Sequence, residues 1–152
     1  PLVLDADALN LIAIEPGLEQ KLANRRVASL LTPHPLEAAR LLGLSSEAVQ
    51  ARRLDAAKEL AKRFNAVVIL KGSGSIIASA HHTAVINGSG NALLATAGTG
   101  DVLAGLMGSY IAHHEHAFEA ACQAVFAHGH VANTWPSDGH SLDAVSLAAS
   151  VR

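Results

Sequence analysis

The chain has 152 residues, half of them apolar, with a formal net charge of -2 and a single cysteine. This length and apolar content predict one domain with a substantial core over 1–152. The lysines and arginines are scattered, which gives no support to nucleic-acid or anionic-membrane binding. No apolar run approaches the roughly 20 residues of a membrane span. The lone Cys122 excludes an internal disulfide framework, so we expect a cytoplasmic protein.

Short β-type runs alternate along the chain with alanine-rich segments. The predicted strands cover 2–5, 27–31, 67–70, 75–79 and 83–87. The first three are continuously apolar, which indicates strands buried on both faces. The last two are close enough to form a hairpin that turns at 80–82. The pattern favours a mixed α/β fold with a mostly parallel sheet and an antiparallel hairpin.

Helical periodicity is found in five of the remaining segments. Pro35 and Gly43 bracket a short helix at 36–42, and apolar residues recur at helical spacing through 46–64. Further helices are predicted at 100–112, 117–133 and 142–150, and Trp135 to Gly139 interrupt the pattern between the last two. These helices are expected to cover the faces of the sheet.

Polar and glycine-rich segments follow the predicted strands, at the sheet edge where α/β proteins bind ligands. They are DADALN after the first strand, TPHPLE after the second, KGSGS after the third and NGSGN after the fifth. Their convergence at one edge predicts a binding site there.

The segment AGTGDVLAG, at 97–105, combines glycines with a carboxylate where a loop turns into a helix. Gly98 and Gly100 let the backbone approach a ligand, and the first amides of the helix lack intrahelical acceptors, which suits a phosphate. Asp101 falls in the first turn, where it could accept a proton from a hydroxyl beside that phosphate. The alternative is an ordinary glycine-rich helix start with an acidic first turn.

Four motifs in this order, VLDADALN, LTPHPLEAARLLG, VVILKGSGSIIA and NGSGN followed by TAGTGDVLAGL, resemble the ADP/ATP-dependent NAD(P)H-hydrate dehydratases. The resemblance runs from Leu2 to about Ala132 and implies a ribokinase-like three-layer α/β/α fold. It also implies a metabolite-repair reaction, in which ADP or ATP drives loss of water from the S epimer of hydrated NADH or NADPH (NADHX or NADPHX).

The resemblance assigns the chemistry to the glycine-aspartate segment. It implies that Asp101 deprotonates the C6 hydroxyl of the hydrate for attack on the terminal phosphate. Gly98, Thr99 and Gly100 would supply amides to the charge that builds on that phosphate. The ring nitrogen lone pair would then expel the phosphorylated hydroxyl and restore the dihydronicotinamide.

The resemblance also implies binding roles for the other loops. His34 would contact the hydrated cofactor, the alternative being a loop histidine bonded to backbone. The nucleotide would be held by Gly100 and by the loop residues Lys71, Gly72, Ser73, Gly74 and Ser75, although Lys71 could be a solvated lysine at a strand end. Glu37 would organise Mg²⁺ through water, or act only as a first-turn helix residue.

Other residues of the same loops are weaker candidates. Asp5 and Asp7 match family positions near the active edge, but Asp7 could equally be a helix cap. Asn87 and Asn91 are turn formers first. With 3% aromatic residues, we expect adenine to lie against aliphatic side chains of the helices flanking Gly100.

The chain departs from the family pattern at its start. Pro1 leads directly into an apolar run without an initiator methionine, and the family's strands before the DAD segment are missing, so we expect the C-terminal portion of a longer domain. Half the substrate pocket would then be missing, and exposed sheet edges would favour a homo-oligomer.

Two other functions stay open: a ribokinase-like kinase for a vitamin precursor or sugar, and an inactive fragment that binds nucleotide.

The histidine-rich segment 113–116 and the pair His128 and His130 have poor spacing for a metal site. Cys122 lies on an apolar helix and is expected to be a core residue.

Overall fold

A computed structural model describes residues 1–114, 116–136 and 141–151. Five strands, eight α-helices and a short 3₁₀ helix make up this part of the chain. In chain order they are β1 (Leu2–Leu4), α1 (Asp7–Ile14), α2 (Leu18–Ala23), β2 (Ser29–Leu31), α3 (Pro35–Leu42), α4 (Ser46–Ala51), α5 (Arg53–Phe64), β3 (Val67–Leu70), β4 (Ile76–Ser79), β5 (His82–Ile86), the 3₁₀ helix Ala92–Leu94, α6 (Thr99–His113), α7 (Ala117–Thr134) and α8 (Ala144–Ser150).

The five strands form one sheet in the order β1-β2-β3-β4-β5. The first three strands are parallel, whereas β4 runs antiparallel to both β3 and β5. Leu30 pairs with Val67 and Leu31 with Val68, which fixes the register of the two central strands. The predicted mostly parallel sheet with a hairpin is confirmed, and the turn occupies Ala80 and His81.

Alternate residues of the central strands face two separate cores, as the period of two in a strand requires. Leu31, Val68 and Leu70 pack beneath α1 to α5, in a core that also contains Leu60 and Phe64. Leu30, Val67 and Ile69 face the opposite side, where α6 and α7 contribute Leu103, Met107 and Val125. Helices therefore cover both faces, which confirms the three-layer α/β/α architecture.

A third and smaller apolar cluster joins α8 to α6 and α7. It contains Ala132, Leu142 and Leu147, with Val102 and Trp135 packed against it. Of the predicted break between the last two helices, Trp135 and Pro136 follow the end of α7, while 137–139 lie outside the described residues. None of the helices described in the structure is both long and apolar enough to cross a membrane.

The prediction of one continuous helix over 46–64 is wrong, because the chain breaks at Arg52. Its backbone angles, φ -139° and ψ 49°, are not helical, and α5 starts afresh at Arg53. The Arg53 guanidinium reaches across to the loop after β3 and donates a hydrogen bond of 2.6 Å to the carbonyl of Ser73. A contact so distant in sequence leaves no trace in helical periodicity.

Two helices, α1 and α2, are absent from the sequence prediction, which treats the segment after β1 as a loop. In α1, Leu9 is fully buried and Ile12 and Ala13 pack against the same core, so tertiary contacts stabilise this short helix.

The expectation that the first strand is buried on both faces is also wrong. β1 is an edge strand, and its Leu2 is 36% exposed.

Candidate functional site

Three loops that follow parallel strands meet around the ammonium group of Lys71. This residue directly follows β3, and its Nζ lies 2.7 Å from Oδ1 of Asp5, which follows β1. Nζ is also 4.0 Å from Oε2 of Glu37, near the start of α3. The side chains are only 19%, 13% and 5% exposed, respectively. Two largely buried carboxylates thus share one cation.

His34 and Glu37 form a capping box at the start of α3. Nδ1 of His34 accepts from the amides of Leu36 and Glu37 at 3.2 and 3.3 Å, while the Glu37 carboxylate accepts from the His34 amide at 2.7 Å. Because Nδ1 is an acceptor, the imidazole proton resides on Nε2, which lies 3.2 Å from Glu37 Oε1. Both residues therefore have structural contacts in the helix cap, and their binding roles stay predictions.

The first turn of α6 adjoins Asp5, Glu37 and Lys71, which together form the Lys71 cluster. Gly98 caps the helix with φ 83°, and a Cβ at this position would come within 2.9 Å of Ala144 Cβ. Gly100 is close to the cluster, since a Cβ added there would lie 3.7 Å from Lys71 Nζ. Asp101 follows with an exposed side chain. In the described part of the chain, the amides of Gly100 and Asp101 have no backbone acceptor, as expected for a helix start.

The Arg53 guanidinium binds backbone carbonyls in and next to the loop between β3 and β4. Its Nη1 donates to the Ser73 carbonyl at 2.6 Å, and its Nη2 lies 3.3 Å and 3.4 Å from the carbonyls of Leu70 and Lys71. Its Nε is buried and has no hydrogen-bond partner among the described residues. Sequence reasoning missed Arg53, because it lies within the segment predicted as a continuous helix.

The predicted site residues are only partly brought together. Asp5, His34, Glu37, Lys71 and Gly100 are linked by the contacts above. Asp7, in contrast, is exposed at the first position of α1, and its side chain forms no cap there. Arg53 contacts the carbonyls of Leu70, Lys71 and Ser73, and Ser75 Oγ donates to the Gly72 carbonyl at 3.1 Å.

The loop after β5 packs against α7. Ser89 Oγ donates to the Phe126 carbonyl at 3.1 Å, and Asn91 Nδ2 donates to the Ala132 carbonyl at 2.8 Å. Asn87 closes the turn by bonding Ser89. The two asparagines thus act as turn formers in the structure.

A second missed residue is His128, a buried histidine of α7. Its Nε2 lies 2.9 Å from the carbonyl oxygen of Thr99, in the first turn of α6. Burial lowers the pKa of this imidazole below its ordinary value. The sequence feature that could have drawn attention to this part of α7 is Gly129, the next residue. A glycine inside a helix indicates a close approach by another segment. A Cβ there would meet the backbone of Ser89 and Gly90 at 2.7 and 2.9 Å.

His81, His82 and His116 lie apart from this edge. A cavity of about 220 Å³, lined in part by His81, His82, His116 and Phe118, sits at the opposite edge of the sheet, near the start of β2 and β3. Within the described residues, no three histidine, cysteine, aspartate or glutamate side chains gather as a metal site requires. Glu115 of the histidine-rich segment lies outside those residues.

Comparison with known proteins decides the family. The family model described as NAD(P)H-hydrate dehydratase matches residues 1–151. The chain belongs to this family. Over 133 residues it is 47% identical to the ADP-dependent (S)-NAD(P)H-hydrate dehydratase of Neisseria meningitidis, covering 88% of the chain and 45% of the relative. It is 41% identical to the bifunctional NAD(P)H-hydrate repair enzyme of Escherichia coli, covering 88% and 24%, respectively.

A solved structure of the NAD(P)H-hydrate dehydratase family confirms the fold. The ADP/ATP-dependent NAD(P)H-hydrate dehydratase of Bacillus subtilis, co-crystallised with ATP and Mg²⁺ and soaked with CoA, superposes with a TM-score of 0.81 at 34% identity. The match covers 99% of the present chain and 54% of the Bacillus chain. The chain thus spans about half the length, or less, of these dehydratase relatives.

Proposed function

We propose that this chain carries the nucleotide edge and the catalytic carboxylate of an ADP/ATP-dependent dehydratase for the S epimer of hydrated NADH or NADPH. The observation that carries the proposal is the first turn of α6, where open amides and the exposed Asp101 adjoin the Lys71 cluster. The names of the Neisseria and Bacillus relatives support this substrate and nucleotide.

In the proposed reaction, the hydrate's C6 hydroxyl oxygen attacks the terminal phosphorus of the nucleotide. Asp101 takes the hydroxyl proton, and the amides of the α6 turn stabilise the negative charge on the transferred phosphoryl group. The bond from phosphorus to the nucleotide breaks, leaving the nucleotide one phosphate shorter. The ring nitrogen lone pair then expels phosphate from C6, and loss of the C5 proton gives the dihydronicotinamide.

Nucleotide binding is assigned to the start of α6 and to the loop after β3. The helix start suits a phosphate because its amides point outward at the positive end of the helix dipole. Lys71 places a positive charge beside Gly100, but its pairing with Asp5 reduces the net attraction it offers. The proposed contribution of Lys71 is therefore partly the positioning of two loops.

Magnesium would accompany the nucleotide. The Glu37 carboxylate fits a contact through water better than direct ligation, because it is buried and already accepts a backbone hydrogen bond at 2.7 Å. Mg²⁺ commonly keeps several waters when phosphates supply its other ligands. The ion would neutralise phosphate charge, and Glu37 would orient one of its waters.

The chain spans about half of its relatives, so we infer that turnover needs further polypeptide, from the same protein or from another copy in a homo-oligomer. The test incubates this chain, with the further polypeptide present, with (S)-NADPHX, Mg²⁺ and either ADP or ATP, while phosphate release and reduced-nicotinamide absorbance are measured. A phosphorylated alcohol as the stable product would identify a kinase instead. Nucleotide binding without turnover would identify a binding module.

Asp101→Asn tests the proposed base. We expect turnover to fall by about 10²- to 10⁴-fold, the typical contribution of a positioned general base. Asp55→Asn is the matched control, because Asp55 also lies in the first turn of a helix but belongs to α5. Equal activity of the two variants would contradict the role of Asp101.

A further inference from the structure

The buried His128 contacts the backbone of the turn to which phosphate binding is assigned. It lies on α7, is only 7% exposed, and places Nε2 2.9 Å from the Thr99 carbonyl oxygen. A carbonyl oxygen can only accept a hydrogen bond, so Nε2 must carry the proton. The imidazole is therefore a donor to the first residue of α6.

The Thr99 carbonyl accepts the hydrogen bond from His128. The Gly100 amide, to which phosphate binding is assigned, belongs to the same peptide unit. The Thr99 carbonyl and the Gly100 amide share a planar bond, so fixing the oxygen also fixes the direction of the N–H. Donation to the oxygen further polarises that N–H, as in any chain of hydrogen bonds. His128 thus acts on Gly100 without touching a ligand.

Thr99 is also anchored through its side chain. Its Oγ1 lies 2.8 Å from the carbonyls of both Leu94 and Thr96, and the residue is only 6% exposed. It stands between two glycines, the residue type with the greatest backbone freedom. Fixed contacts at Thr99 are therefore what keep a glycine-flanked turn in one conformation.

The geometry points to His128 as a positioning residue that aims the Gly100 amide at the transferred phosphate. This inference rests on the function proposed for the α6 turn. A histidine that only fills space would be replaced equally well by any side chain of similar volume. A positioning histidine requires a donor at the place of Nε2, and the side-chain amide of glutamine supplies one.

The experiment combines nitrogen NMR of the imidazole with amide exchange in the protein with and without substitution. In the wild type, we expect a neutral ring protonated at Nε2. His128→Leu should speed exchange of the Val102 amide, which donates to Gly98 O, by about five- to twentyfold, the effect of losing one buried hydrogen bond. His128→Gln should restore slow exchange. His130→Leu, on the exposed side of α7, is the control and should change nothing.

Steady-state kinetics supply the second readout. His128→Leu should lower kcat by about tenfold and leave the KM for nucleotide nearly unchanged, because the amide acts on charge that builds during transfer. The glutamine variant should recover most of this loss. Absence of turnover in the wild type with the further polypeptide present would refute the proposed function, whereas the exchange measurements would still test the role of His128. A ring protonated at Nδ1, or equal defects in the leucine and glutamine variants, would overturn the positioning role.

Discussion

Replacing Gly129 with alanine should destabilise the protein, although alanine is the better helix former. The new Cβ would contact Ser89 Oγ and would lie 2.7 Å from the Ser89 carbonyl carbon and 2.9 Å from the Gly90 amide nitrogen. The last two are backbone atoms, which no rotamer change can move. Either α7 or the loop after β5 must therefore shift.

The magnitude follows from two opposing effects. Forcing extra atoms into a packed site costs about 1–3 kcal/mol, whereas glycine to alanine inside a helix stabilises by about 1 kcal/mol. We expect a net loss of up to about 2 kcal/mol, which lowers the Tm of a chain of this length by up to about 4–8 °C. Gly108→Ala in α6 is the matched control, since a Cβ there meets nothing within 4 Å, and it should raise the Tm.

Thermal unfolding followed by circular dichroism measures both variants against the wild type. Amide chemical shifts of Ser89 and Gly90 should change in Gly129→Ala and stay constant in Gly108→Ala. If the two variants were equally stable, the proposed close packing between α7 and the loop after β5 would be refuted.

Three further predictions concern charge, pH and backbone strain. Lys71→Met leaves the largely buried carboxylates of Asp5 and Glu37 without their cation, so chemical denaturation should show a loss of about 2–3 kcal/mol; simultaneous Asp5→Asn should recover part of it. Because burial lowers the pKa of His128 from 6.5, its contribution to stability is retained above about pH 6.5 and declines as the pH falls through the lower folded-state pKa. The wild-type Tm should therefore fall more than that of His128→Gln between pH 7.5 and about pH 5, and parallel curves would contradict this. Ala6→Gly should raise the free energy of unfolding in urea by about 1 kcal/mol, because Ala6 holds a left-handed φ of 50° that glycine adopts without strain. A lower urea midpoint would contradict this.

Much of the fold was predictable because its signals are local. The central strands are short apolar runs, and the hairpin is two such runs separated by a turn. Pro35 and Gly43 mark the ends of α3, where the structure has proline at the first position and glycine in the left-handed conformation. α1 escaped prediction because its stability depends on the burial of Leu9 beneath the sheet.

The candidate site was predictable as an edge of the sheet, but its internal contacts were not. Loops that follow parallel strands must meet, so the gathering of Asp5, Glu37 and Lys71 follows from the strand assignments. The contacts of Arg53 and His128 join side chains to backbone carbonyl oxygens that are many residues away. Local sequence pattern does not specify which distant backbone oxygen a side chain will find.

The strand order of the sheet repeats the order of synthesis. Among the described strands, each one after β1 pairs with the strand that precedes it in the chain, so none of the five has to be inserted between two partners already joined. Every pairing closes only the segment between neighbours, and the entropy cost of such closures grows slowly with length. As these five strands leave the ribosome, each one after β1 therefore meets a pairing edge that has already emerged. These five strands can be added in turn at one side of the sheet.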